Sequence, residues 1–183
     1  MGIHDLLPHL PGGDMSDIRY SFFNEEALAN QHVVPIDAAG ALWQFAYAHA
    51  PDYLRGNYSP SLSEWAKLLN YLRSIVQWKL KIFMDGRSNP FKSHENERRQ
   101  QRAETSDDER SQIRNTPEYI AMAVKVCQFM QIDVLVSAYE ADPQVMHYAI
   151  SNSVIAVTGD SDLLAIGSPV MPECFTPGKL IIV

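Results

Sequence analysis

The sequence predicts a single α/β domain with an open sheet. A local pattern repeats in which a short apolar run ends at an acidic residue. VVPID ends at Asp37 before the helical run ALWQFAYAHA, LKIFMD ends at Asp85, and VIAVT ends just before Asp160. Gly86 permits the chain to turn away after the second run. The chain has 183 residues, 46% of them hydrophobic, which suits one such domain with a full core and is short for two.

Apolar periodicity predicts the helices that cover this sheet. From an N-cap at Ser61, the run LSEWAKLLNYLRSIVQ places five large residues on one face: Leu62, Trp65, Leu68, Leu69 and Leu72. PEYIAMAVKVCQFMQ repeats the pattern, and a short helix follows Asp142. The aromatic residues in such apolar segments are expected in the core: Trp43, Phe45, Tyr47, Trp65 and Trp78.

Residues 87–116 break the pattern. Only Phe91 and Ile113 are large and apolar in this charged stretch. Such a composition is typical of a solvated helix or a disordered loop. We therefore expect the segment to lie outside the core, as a protruding insertion.

Two acidic pairs of the form acid-x-acid indicate chemistry. They are Glu140 with Asp142 and Asp160 with Asp162. Ligands of open α/β sheets bind where the strands end, and converging carboxylates raise one another's pKa unless a cation lies among them. Oxygen ligands without His or Cys favour Mg²⁺ or Mn²⁺ over zinc. Each pair could instead cap the helix that follows it, and spacing alone leaves both interpretations open.

Composition narrows the function classes. No apolar run approaches the roughly 20 residues that span a bilayer, so no membrane partner is expected. Cys127 and Cys174 are isolated, which favours a reducing compartment and argues against a zinc site or disulfide framework. The net charge is −7, yet residues 67–114 carry eleven Lys and Arg against seven Asp and Glu. A polyanion-binding metalloenzyme would show this polarity, and so would a solvated charged helix beside an acidic core.

Five motifs, in this order, resemble the structure-specific 5′ nuclease superfamily, which includes flap endonucleases, 5′→3′ repair exonucleases, excision-repair nucleases and Holliday-junction resolvases. They are MGI at the start, IDAAG around Asp37, FMDG around Asp85, YEADPQ around Glu140 and Asp142, and TGDSDLLAIG around Asp160 and Asp162. YEAD and DSDLLA are most similar to the exonuclease branch, whereas the GSPV that follows is similar to flap endonucleases. The resemblance covers nearly the whole chain, which we expect to form one nuclease domain over residues 1–183.

The resemblance implies a PIN-like, three-layer α/β fold. Its central sheet would be mostly parallel, with helices on both faces and a charged helical arch at about residues 87–116. It implies a nuclear, two-metal-ion phosphodiesterase that cuts DNA at a 5′ flap or 5′ end in replication or repair. Two alternatives stay open: a non-catalytic PIN-like scaffold that binds RNA or protein, and a PIN-type ribonuclease acting on single-stranded RNA.

The resemblance also assigns site residues. Two ions, Mg²⁺ or Mn²⁺, would be held by Asp37, Asp85, Glu140, Asp142, Asp160 and Asp162. Lys92 and Arg99, seven and fourteen residues after Asp85, would contact the scissile phosphate as catalytic residues. Gly2, Arg98 and Arg102 would contact nucleic acid.

The sequence departs from the family pattern in three respects: near its start, in the arch and after Asp162. Asp5 occupies a position that is usually Gly, the turn from Pro11 to Asp14 is unusual, and the arch carries acids at residues 107–109. The family's helix-two-turn-helix region, with a further metal-ligating aspartate, is absent from these 183 residues. We therefore expect a longer chain, a different C-terminal region or a partner protein to supply the grip on duplex DNA.

Overall fold

The computed structural model describes residues 32–75, 79–87, 89–94, 97–98, 101, 105–106 and 108–158, together with the backbone of 170–176 and 179–182. The strands are β1 (Val33–Asp37), β2 (Lys79–Met84), β3 (Asp133–Val136), β4 (Ala156–Thr158), β5 (Val170–Thr176) and β6 (Lys179–Ile182). The α-helices are α1 (Ala39–Ala48), α2 (Ala50–Leu54), α3 (Ser59–Ile75), α4 (Pro117–Phe129) and α5 (Asp142–Asn152). Short 3₁₀ turns form at Pro90–Lys92 and Glu109–Gln112.

The strands form one sheet in the order β3-β2-β1-β4-β5-β6. The pairs from β3 to β5 are parallel, and β6 runs antiparallel to β5. In the centre, Ile36 of β1 lies opposite Ile82 of β2 and Val157 of β4. The predicted mostly parallel central sheet is confirmed.

Helices cover both faces of this sheet. Successive side chains of a strand point to opposite faces. Ile82 and Met84 belong to the larger core with α1, α3 and α4, whereas Phe83 packs with Val145 and Ala149 of α5 in a second cluster. The predicted three-layer arrangement is therefore confirmed. Among the helices that the structure describes, none is long and apolar enough to cross a membrane.

The helix predicted from periodicity forms, with one change at its start. All five predicted core residues of α3 are buried, and Trp65 is fully so. The helix begins at Ser59, two residues before the predicted cap at Ser61, and Ser61 itself is buried within it. Pro60 in the first turn is compatible with this earlier start, because its missing N–H is not needed there.

One aromatic prediction was wrong. Trp43 is 42% exposed, and its ring stacks on Tyr47 with 5.0 Å between centroids. The buried face of α1 is formed instead by Leu42, Phe45 and small residues. Because α1 is apolar on nearly every side, periodicity could not distinguish its inner face from its outer face. Trp78 lies outside the described residues.

The expectation that all of residues 87–116 lie outside the core was also wrong. Ile113 is fully buried in the main core, whereas Phe91 is 97% exposed. After Ile113 the backbone is tied down, because the Tyr53 hydroxyl donates to the carbonyl of Arg114. The charged segment is thus anchored at its C-terminal end by one apolar side chain and its neighbours.

Candidate functional site

Three parallel strands end at the same edge of the sheet, and polar side chains lie where they end. Asp37 is the last residue of β1, Thr158 is the last residue of β4, and Asp85 directly follows β2. Asp37 is only 4% exposed because β1 is flanked by β2 and β4. Asp37, the first of the predicted metal ligands along the chain, is therefore buried at the end of a central strand.

Both carboxylate oxygens of Asp37 accept hydrogen bonds. The Ala39 N–H at the start of α1 donates to Oδ1 over 3.0 Å. The buried hydroxyl of Thr158 donates to Oδ2, also over 3.0 Å. Sequence reasoning missed Thr158, and its only signal was a polar residue at the end of the apolar run VIAVT. Together the two donors fix the orientation of the carboxylate.

Asp85 lies at the neighbouring strand end. Its Oδ1 accepts a hydrogen bond of 2.8 Å from the Ala141 N–H. Burial raises the pKa of this carboxyl above its usual range, and the negative charge of Glu140 adds to the rise. The Ala141 N–H and the Lys92 ammonium act in the opposite direction. Asp85 is therefore a carboxylate that a nearby cation would stabilise.

Gly86 allows the loops after β2 and β3 to approach each other closely. The Gly86 N–H donates to the Tyr139 carbonyl over 2.6 Å, and the Arg87 N–H donates to the Ala138 carbonyl over 3.1 Å. A Cβ at residue 86 would collide with the Ser137 carbonyl. Residue 86 is therefore glycine because the two loops approach each other closely, and not because of the expected turn. This contact places Glu140 beside Asp85.

Glu140 pairs with a lysine of the charged segment. Lys92 Nζ lies 2.6 Å from Glu140 Oε1, with both side chains partly exposed. Lys92 lies in the 3₁₀ turn, and the Asn89 side chain caps this turn by accepting the Phe91 N–H over 3.0 Å. The structure thus brings together Asp85, Glu140 and Lys92.

The helix-capping alternative does not describe the first acidic pair. The N-cap of α5 is Ala141, and no side chain caps it. Glu140 is paired with Lys92 instead. Asp142 is the first residue of α5, where its negative charge interacts favourably with the helix dipole.

The remaining predicted site residues are not tested. Arg98 is exposed in a helical part of the charged segment. Gly2, Arg99, Arg102, Asp160 and Asp162 lie outside the described residues. In the described part of the chain, no three His, Cys, Asp or Glu side chains group closely enough to hold a metal ion. The six-ligand set and the number of ions therefore stay predictions.

The acidic side chains that the structure describes nevertheless suit a hard divalent cation as ligands. They are carboxylates, with no His or Cys among them, which suits Mg²⁺ or Mn²⁺. Each carboxylate has about four lone-pair positions, so a carboxylate that accepts hydrogen bonds can also bind an ion. The raised pKa of Asp85 indicates that positive charge would be favoured at this edge.

Solved structures share this fold. The catalytic core of Rad2 in complex with DNA substrate is 17% identical, with a TM-score of 0.61 over 91% of this chain and 51% of that chain. T5 D15 protein co-crystallized with metal ions is 15% identical, with a TM-score of 0.53 over 80% of this chain and 56% of that chain. T5 5′-exonuclease with bound zinc ions is 16% identical and has the same TM-score and coverage.

These comparisons confirm the predicted PIN-like, three-layer α/β fold. The chain spans about half the length of the solved chains that it matches. No protein-family model matches the sequence, and no curated protein matches it.

Proposed function

We propose that the protein is a divalent-metal-dependent, structure-specific 5′ nuclease that hydrolyses DNA, as a 5′→3′ exonuclease or a flap endonuclease. The observation that carries the proposal is the grouping of Asp85, Glu140 and Lys92 at the carboxyl edge of the sheet. Two acids and one base close together suit a site that binds both cations and phosphate. The shared fold with a Rad2 catalytic core in complex with DNA substrate supports the same function.

The acidic residues would hold two Mg²⁺ or Mn²⁺ ions. In this proposal Asp37, Asp85, Glu140 and Asp142 act together with Asp160 and Asp162. Divalent ions would supply Lewis-acid stabilisation of the phosphate oxygens and lower the pKa of a water molecule. Lys92, with Arg99, would contact the scissile phosphate and neutralise the charge that grows on it in the transition state.

Basic residues and aromatic rings near the carboxyl edge of the sheet would bind the nucleic acid. Gly2, Arg98 and Arg102 would contact the strand. Trp43 is a further candidate, because its exposed ring at α1 could stack on a base. A further region of a longer chain, or a partner protein, would grip duplex DNA, and the protein would act in nuclear replication or repair.

Cleavage of three labelled substrates tests the proposal: a 5′-flap duplex, a blunt duplex and a single-stranded RNA. Each is incubated with Mg²⁺, Mn²⁺ or EDTA, using the wild type, Asp85→Asn and Asp133→Asn. Asp133 is the control, since it begins β3 at the opposite edge and pairs with Lys81. We expect metal-dependent DNA cleavage that only Asp85→Asn abolishes.

Other outcomes would replace the proposal. Cleavage of RNA alone would favour the ribonuclease. Cleavage that persists in EDTA or in Asp85→Asn would contradict the metal site. Nucleic-acid binding without any cleavage, even with a C-terminally longer form of the chain, would favour the scaffold.

A further inference from the structure

Asn115 connects the end of the charged segment to the candidate site. It lies between the 3₁₀ turn Glu109–Gln112 and the first turn of α4. Its side-chain amide donates to the carbonyl of Ala39 over 2.9 Å, across 76 residues of sequence. Because Nδ2 is the donor to a carbonyl, the orientation of the amide is defined by this contact.

Ala39 is also the residue that orients Asp37. Its own N–H donates to Asp37 Oδ1 over 3.0 Å. The N–H and the carbonyl of Ala39 flank a single Cα, so only two backbone dihedrals separate them. A side chain that holds the carbonyl therefore restrains the amide that holds the carboxylate.

The packing around Asn115 argues that stability is not its main contribution. Its Oδ1 is buried and has no hydrogen-bond partner among the residues that the structure describes. An unsatisfied buried carbonyl is unfavourable, so an apolar side chain of similar size would suit the packing better. What an apolar residue could not supply is the donor to Ala39.

The segment is also anchored without Asn115. Ile113 is buried in the core, and the Tyr53 hydroxyl donates to the carbonyl of Arg114. Thr116 caps α4 by accepting the Tyr119 N–H over 3.2 Å. Three other contacts therefore hold this stretch of backbone in place.

We infer that Asn115 is a positioning residue for Asp37, acting through Ala39. Asn115 also links the C-terminal end of the charged segment to the Asp37 carboxylate. A displacement of that end would therefore shift the Asp37 carboxylate. The part of the inference that concerns metal binding rests on the proposed function. The contact between Asn115 and Ala39 does not.

Two measurements test this role in the whole chain: hydrogen exchange of the Ala39 amide by NMR, and Mn²⁺ binding by calorimetry. The variants are Asn115→Leu, which keeps the branching at Cγ and the number of side-chain heavy atoms, and Asn115→Ala, which serves if the larger leucine folds poorly. Tyr53→Phe is the matched control, because it removes the hydrogen bonds of the Tyr53 hydroxyl to both neighbours of Asn115, at the Arg114 carbonyl and the Thr116 N–H. We expect faster exchange at Ala39 and about tenfold weaker Mn²⁺ binding in the Asn115 variants, at the low end for residues that orient a ligand. Tyr53→Phe should change neither.

Each outcome decides the matter. Unchanged exchange at Ala39 in both Asn115 variants would overturn the inference. Equal losses of Mn²⁺ affinity in Asn115→Leu and Tyr53→Phe, in step with their melting temperatures, would reduce Asn115 to a structural residue. If the wild type binds no Mn²⁺, the proposed function fails, and the exchange of the Ala39 amide still decides whether Asn115 positions Asp37.

Discussion

Lys92 Nζ and Glu140 Oε1 lie 2.6 Å apart, so a residue expected to contact phosphate is bonded to a residue expected to hold a metal ion. The Lys92 ammonium offsets part of the electrostatic repulsion between Glu140 and Asp85. A divalent ion that used Glu140 as a ligand would compete with Lys92 for the same carboxylate. Metal binding would then release Lys92 towards the substrate.

Replacing Lys92 with Met should therefore tighten Mn²⁺ binding while it slows cleavage. Loss of the competing ion pair, which is partly exposed, should raise the affinity about two- to fivefold. Loss of the charge near the phosphate should lower kcat by about a hundredfold. Calorimetry and single-turnover cleavage measure the two effects. Lys67→Met is the control, because Lys67 pairs with Glu64 on α3. Weaker Mn²⁺ binding in Lys92→Met would contradict competition.

Thr158→Val removes the hydroxyl that donates to Asp37 Oδ2 without changing the side-chain volume much. Because Thr158 is fully buried, the loss should lower the free energy of unfolding by about 1–3 kcal/mol. Urea unfolding measures this change. The exposed Thr105→Val should shift stability by less than about 0.5 kcal/mol. Equal effects of the two substitutions would argue against an important Asp37–Thr158 bond.

The raised pKa of Asp85 predicts that the stability of the metal-free protein depends on pH. Its pKa is raised in the folded state, so the folded protein keeps this proton to a higher pH than the unfolded chain does. Ionisation of Asp85 therefore lowers the free energy of unfolding at pH values above its folded pKa. This loss is absent at pH values below its unfolded pKa. Asp85→Asn should be more stable than the wild type near neutral pH in EDTA.

Urea midpoints of both proteins, measured between neutral and acidic pH, test this sign. The advantage of Asp85→Asn should shrink as the pH falls through the folded pKa of Asp85. Added Mn²⁺ should also shrink it, because the ion stabilises the wild-type carboxylate. An advantage that stays constant with pH would show that burial does not perturb Asp85.

Gly86→Ala should separate the two loops that carry Asp85 and Glu140. Its Cβ would meet the Ser137 carbonyl, which belongs to the backbone and cannot move aside as a side chain could. We expect a loss of about 1–3 kcal/mol in unfolding free energy, together with weaker Mn²⁺ binding. Gly56→Asn is the control for backbone strain without a collision, because Gly56 has φ +80° and an added Cβ there would meet nothing within 4 Å. Wild-type stability in Gly86→Ala would contradict the close approach of the loops.

Trp43→Ala should weaken binding of single-stranded DNA. Loss of one stacked base contact costs about 1–3 kcal/mol of binding free energy. Fluorescence anisotropy of a labelled oligonucleotide, measured in EDTA to prevent cleavage, gives the affinity. Phe129→Ala is the control, since Phe129 is exposed at the end of α4. Equal affinities of the two variants would exclude a stacking role for Trp43.

The strand-end pattern predicted the position of two acids because it is a local property of the chain. Asp37 and Asp85 follow buried runs, and parallel strands bring their carboxyl ends to one edge. Trp43 was predicted wrongly because a helix that is apolar on nearly every side does not reveal its buried face. Ile113 was predicted wrongly because one apolar residue in a charged segment carries no periodicity.

The sequence by itself determined the α/β class, the apolar face of α3 and the order of the acidic motifs, since each depends on neighbours a few residues apart. Only the tertiary structure decided which groups touch those acids. Thr158 and Asp37 are 121 residues apart, and Asn115 and Ala39 are 76 apart. A hydrogen bond needs two atoms at about 3 Å, and for such distant residues that separation depends on how the sheet and helices pack.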